Sequence, residues 1–151
     1  MNSRITLRKI WNDDDVIELT VEVSDGKSMF ANTVYVTTNA IQELIKNLTV
    51  FREHIYGGLY DIRFGEFGPE YANGAFQARL HFNVPGRLFI STHQQSDFEE
   101  FAKTQVASEA KMYLKTEPIL LDNFISELKA LNSGASNEAT LVSASQETPP
   151  N

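Results

Sequence analysis

Val16-Ile17-Glu18-Leu19-Thr20-Val21-Glu22-Val23-Ser24-Asp25-Gly26-Lys27 alternates apolar and polar residues and then turns. Successive strand side chains point to opposite sides, so Ile17, Leu19, Val21 and Val23 share one face. Glu18, Thr20 and Glu22 share the other. Asp25-Gly26 is a strong hairpin signal, because glycine accepts the positive φ that a tight turn requires. Segment 29–37 returns with Phe30, Val34 and Val36 inward. Asn32 interrupts that inward row and predicts a β-bulge near it. Alternation this clean belongs to antiparallel strands with one wet face.

Outward from this hairpin, the period changes. Ile41, Leu44, Ile45 and Leu48 make one helical stripe, with Asn39 as the expected N-cap and Gln42 completing a capping-box-like pair. Strands resume at Tyr60, Ile62 and Phe64, and again at Phe76, Ala78, Leu80 and Phe82, with Gln77, Arg79 and His81 opposite. Pro85-Gly86 marks a turn before Leu88 and Ile90. Ala110, Met112 and Leu114 define a last strand. Leu121, Phe124, Ile125 and Leu128 then repeat the helical stripe, with Pro118 in the first turn and Asn132 and Gly134 at the end. In segment 94–106, Ser96-Asp97-Phe98-Glu99 matches a capping box, and Phe98, Phe101 and Ala102 have helical spacing. A short helix is expected there, with a loop as the alternative.

Tyr35-Val36-Thr37-Thr38 leads into the first helix as Tyr113-Leu114-Lys115-Thr116 leads into the second. The stripes coincide if the second half carries a two-residue insertion, which is consistent with a duplicated β-β-α unit. The expected fold is α+β: a largely antiparallel sheet of about six to seven strands with two amphipathic helices packed on one face. Residues 1–132 read as a single domain. Residues 133–151 hold only Leu141 and Val142 as large apolar side chains and read as a disordered C-terminal tail.

Composition narrows the function classes. The chain has 151 residues, 42% hydrophobic, enough to bury roughly 70% of its unfolded surface. With no cysteine, disulfides and thiolate metal sites are excluded, and a reducing cytoplasm is the expected compartment. The Met1-Asn2-Ser3-Arg4 start shows no leader pattern, and no apolar run is long enough to span a bilayer. The net charge of −7 and the scattering of the 13 basic residues argue against nucleic acid and anionic membranes as partners. An acidic surface fits an ordinary soluble bacterial protein, or one that binds a basic protein partner.

No stretch carries a catalytic or cofactor signature. Asp13-Asp14-Asp15 does not have calcium-loop spacing and reads as a polar turn, or as an acidic edge for a basic partner. His54, His81 and His93 are not at metal-ligand spacing, and no metal or cofactor is expected. No nucleophile elbow or phosphate-cradling glycine motif is present, so no catalytic residue is assigned. Phe64-Gly65-Glu66-Phe67-Gly68-Pro69-Glu70-Tyr71-Ala72-Asn73-Gly74 packs aromatics, glycines and a proline between two strands, as a packed loop or a preordered aromatic–acidic rim.

The Trp11-x-Asp13-Asp14 turn, the Phe64-Gly65-Glu66-Phe67 loop and the closing Leu121-x-x-Phe124-Ile125-x-x-Leu128 helix together resemble small bacterial α+β proteins akin to WapI-type immunity proteins of polymorphic toxin systems. The likeness spans most of residues 4–131. Pro85-Gly86-Arg87 stands where those proteins carry a Gly-His step, and segment 94–106 also departs. The resemblance implies a non-catalytic inhibitor of a co-encoded toxin, acting by steric and electrostatic blockade. Candidate contacts are Asp13, Asp14, Asp15, Glu66, Glu70, Glu99 and Glu100. The alternatives are a small-molecule binder or enzyme with a pocket between sheet and helices, using His81 or His93 with a carboxylate, and a scaffold protein.

Overall fold

The computed structural model of the chain describes residues 2–69 and 73–144. Chain order is β1 (Arg4–Asn12), β2 (Val16–Ser24), β3 (Met29–Thr37), α1 (Ala40–Phe51), β4 (Leu59–Gly65), β5 (Asn73–Val84), β6 (Arg87–Asp97), β7 (Glu99–Phe101), β8 (Thr104–Val106), β9 (Glu109–Thr116), α2 (Pro118–Ser133) and β10 (Glu138–Val142). The class is α+β with antiparallel pairing, as expected. The single sheet of six to seven strands is not. Among the described residues, ten strands form three sheets: β10-β1-β2-β3, β4-β5-β6-β9 and the small β7-β8 ribbon.

That topology is a duplication larger than a β-β-α unit. The unit is β-β-β-α-β, first as β1-β2-β3-α1-β4 and then as β5-β6-β9-α2-β10. Each unit sends its last strand away. β4 pairs with β5, the first strand of the second unit, and β10 pairs with β1, the first strand of the first. The helical stripes correspond residue for residue: Ile41 and Leu121, Leu44 and Phe124, Leu48 and Leu128, Phe51 and Leu131 are each 80 positions apart and all buried. Burying side chains of this size contributes on the order of 1.5–3 kcal/mol each. The inner faces of both large sheets and both helices meet in one core cluster that runs from Ile5 to Leu141.

Four local expectations are corrected. Segment 94–106 forms the end of β6 and the β7-β8 hairpin, not a helix. The Ser96 hydroxyl accepts from Ser108 N–H across the sheet instead of capping a helix, and the hairpin turns through Ala102 and Lys103 at positive φ. Residues 133–144 are not a tail. Gly134 closes α2 in the left-handed conformation, and β10 buries Ala139 and Leu141 against β1. The alternation Ala139-Thr140-Leu141 is a strand signal that polar neighbours disguise. The rest of the expected tail, 145–151, lies outside the described residues. Asn39 precedes α1 as expected, but its side chain makes no cap hydrogen bond.

Asn32 makes no bulge. The β2–β3 register runs through it without a shift, and its side chain points into the junction between the sheets. Its amide donates to Ala75 O and Gln95 O at 3.1 and 2.9 Å. Its Oδ1 accepts from Gln94 Nε2 at 2.8 Å, and the same Gln94 amide reaches Val21 O and Phe30 O. The bulge lies instead in β1, between Lys9 and Trp11.

Candidate functional site

The β1 bulge decides what the end of the first sheet presents. Without the extra residue, Trp11 would oppose Ile17 and face the core. With it, Trp11 opposes Glu18 on the outer face, and Glu18 in turn opposes Tyr35. A row of Trp11, Glu18 and Tyr35 therefore crosses three strands, with Trp11 and Tyr35 52% and 44% exposed. Tyr35 Oη donates to the Glu18 carboxylate at 2.9 Å. That bond, partial desolvation and the negative charges of Glu18 and Asp97 hold the Tyr35 hydroxyl above its ordinary pKa.

The Asp13-Asp14-Asp15 turn lies directly beyond this row. Asp13 accepts the backbone N–H groups of Asp15 and Val16, both at 2.8 Å, and these bonds push its pKa below the usual carboxylate value. Asp13 thus organises the turn. Thr38 N–H donates to Asp15 O and ties the turn to the end of β3. Among the described residues, the carboxylates of Asp14 and Asp15 make no ion pair or hydrogen bond, and both are exposed.

The other candidates are dispersed. Glu66 follows β4 and is exposed, and Glu70 lies outside the described residues. Glu99 and Glu100 sit exposed on β7. Asp97, at the end of β6, adds a small share to the raised pKa of the Tyr35 hydroxyl. Its place beside Tyr35 depends on how the two sheets meet, which no sequence spacing reveals.

His81 and His93 lie on the outer face of the second sheet, in different cross-strand rows. His93 Nε2 contacts Glu109 Oε1 at 2.8 Å, and its ring stacks on Phe67 at 4.3 Å. Gly68 N–H donates to Gln95 Oε1 beside them. The pair therefore fastens the chain after β4 to β6 and β9. Glu109 was not singled out in the sequence, because its contact is set by the β6–β9 register. Arg63, Arg79, Lys111 and Lys115 share this outer face. Asp61 neutralises Arg79 through two bonds of 2.8 and 3.0 Å, and Lys115 lies over the Phe89 ring at 5.9 Å.

Among the described residues, three surface depressions bear on the candidates. A groove of about 310 Å³ opens between the end of β3, α1 and β4, with Tyr35, Glu43, Tyr60 and Arg63 at its walls. A more apolar one of about 340 Å³ continues past Asn47 and Tyr60 to Val50 and Leu59. A third, about 170 Å³, lies between Lys9, Ile17 and Asn132. His81 and His93 line none of these three. Among the described residues, no group of three His, Asp or Glu side chains converges as a metal site. Among the described residues, no helix is long and apolar enough to cross a membrane. The chain matches no protein-family model, no curated protein and no solved structure with which it was compared.

Proposed function

We propose that this chain is a non-catalytic protein-binding domain that receives a basic partner at the acidic–aromatic end of its first sheet, as an immunity-type inhibitor of a co-encoded bacterial toxin would. The observation that carries the reading is the exposed Trp11–Glu18–Tyr35 row, set against the uncompensated Asp14 and Asp15. Trp and Tyr supply large contact area at small entropic cost and dominate the energetics of interfaces. Carboxylates beside them steer a cationic partner and raise the association rate. The net charge of −7 extends the same field over the molecule. The pocket-enzyme alternative draws no support from these three depressions, since neither His81 nor His93 lines one of them.

The test is capture of the neighbouring gene's product by the full 151-residue chain, at low and high salt. A complex that weakens with salt is expected. It should weaken further when Trp11→Ala is combined with Asp14→Asn and Asp15→Asn. A complex indifferent to both salt and these substitutions, or no complex at all, refutes the proposal.

A further inference from the structure

The two large sheets leave two seams, one between β9 and β10 and one between β3 and β4, related by the internal duplication. The first is stitched by the chain itself. After β10, Ser143 N–H donates to Ser3 O on one side and Ala144 N–H donates to Lys115 O on the other. Thr116 Oγ1 donates to Val142 O. The end of β10 and the chain after it thus bond to the edge of β9 at Thr116 and Lys115.

Among the described residues, no backbone hydrogen bond joins β3 to β4 across the second seam. Asp25 N–H donates to Ser28 O, which fixes the pairing phase of the β2–β3 hairpin. By antiparallel alternation, the backbone groups of Asn32, Val34 and Val36 face β2, and those of Thr33, Tyr35 and Thr37 point into the seam. Thr33 O is covered there by Gly74, where a Cβ would collide with it. Thr37 corresponds to Lys115, 78 positions on, just as Val36 corresponds to Leu114. Among the described residues, β3 and β4 do not pair, and the groove of about 310 Å³ opens where the other seam is closed.

Given the protein-binding reading above, on which this step rests, we propose that the β3–β4 seam receives an extended basic segment of the partner, whose backbone adds to the free edge of β3 at Tyr35 and Thr37. Val36, Leu44 and Ile62 line the groove for its apolar side chains. Glu43 in the groove wall, Glu18 beneath the Tyr35 hydroxyl and the nearby Asp97 select basic residues at the alternate positions. Arg63 is the cation of the lining; Asp61, 4.0 Å from it, is already paired with Arg79, so Glu43 and Glu18 are the carboxylates that outweigh it.

The experiment titrates the full chain with two peptides, one of alternating valine and lysine, the other of the same charge with prolines in place of the valines. Residue-resolved NMR follows chemical shifts and amide exchange. The valine–lysine peptide is expected to slow exchange at Tyr35 and Thr37 by about tenfold, the proline peptide not at all. Thr37→Pro, which removes an edge donor without touching the β2 ladder, should weaken the valine–lysine peptide by about tenfold, and Thr37→Val by less than about threefold. If both peptides shift Trp11 and Asp14 while exchange at Tyr35 and Thr37 stays unchanged, strand addition at the seam is overturned and the acidic face stands. If neither peptide shifts any of these residues, both readings fall. Should Thr37→Pro not fold, exchange in the unaltered chain still decides the matter.

Discussion

Replacing Asn32 with alanine tests the junction between the two sheets. The side chain is 7% exposed and makes three hydrogen bonds, donating to Ala75 O and Gln95 O and accepting from Gln94 Nε2. Each bond contributes roughly 1 kcal/mol net, so the loss should be about 3 kcal/mol. For a chain of this size that lowers Tm by roughly 6–12 °C. Asn32→Val removes the same bonds but completes the inward row Phe30-Val34-Val36, and should recover part of the loss. Asn32→Asp should cost more than alanine at neutral pH, because an acceptor-only group would face two carbonyls. Urea unfolding followed by Trp11 fluorescence and by circular dichroism gives the free energies. A double-mutant cycle with Gln94→Ala isolates the shared bond, and the two single losses should not add. A loss below about 1 kcal/mol for Asn32→Ala would mean that these bonds do not hold the sheets together.

Further substitutions address other elements. Leu141→Ala should destabilise by about 2–4 kcal/mol in the same unfolding assay, and removal of residues 137–151 should expose the β1 edge and produce self-association by sedimentation. Gly74→Ala adds a Cβ against Thr33 O at a φ of +92°, and should lower stability by at least about 3 kcal/mol. Hydrogen bonding to Arg79 depresses the Asp61 pKa, so its contribution is complete above the ordinary carboxylate value of 3.8 and is lost as pH falls through the lower folded value. Asp61→Asn should accordingly flatten the acid limb of a stability-versus-pH curve below about pH 4 and leave its neutral-to-basic shape unchanged. For the partner captured by the full chain, Asp14→Asn with Asp15→Asn should slow association by about tenfold at low salt and far less at high salt, measured by stopped flow.

Much of the secondary structure was legible because local chemistry fixes it. The apolar period of 2 in residues 16–23 and the helical stripe from Leu121 to Leu128 needed no tertiary information. Features set by long-range pairing were not. The Ser96–Glu99 pattern satisfies a capping box, yet Ser96 spends its hydroxyl on Ser108, twelve positions away. Ala139 and Leu141 are too few to announce a strand, and only an unpaired β1 edge makes them one. Asn32 looked like an interruption of an apolar row because its partners, Gln94 and Gln95, lie more than sixty positions away. For the site, the Asp13–Asp15 turn was visible, but the Trp11–Glu18–Tyr35 row depends on a bulge that shifts one strand by a residue. Asp97 beside Tyr35 and Glu109 beside His93 depend on sheet registers.

The repeated connectivity accounts for the difference between the two seams. A last strand that leaves its own unit must cross from one sheet to the other, and each crossing creates a seam beside a helix. In the second unit the connection between α2 and β10 is short, α2 packs along β10, and Glu127 accepts from Thr140 N–H. The chain then runs past β10 to Ala144, which bonds to Lys115 O across the seam. In the first unit a longer connection, from Arg52 to Gly58, separates α1 from β4 and leaves the groove between them. The same unit carries the bulge that turns Trp11 outward and the turn that displays Asp14 and Asp15. The two units thus differ at their seams. The second copy closes its seam with its own backbone, and the first leaves its edge strand, aromatic rings and unpaired carboxylates together on one side.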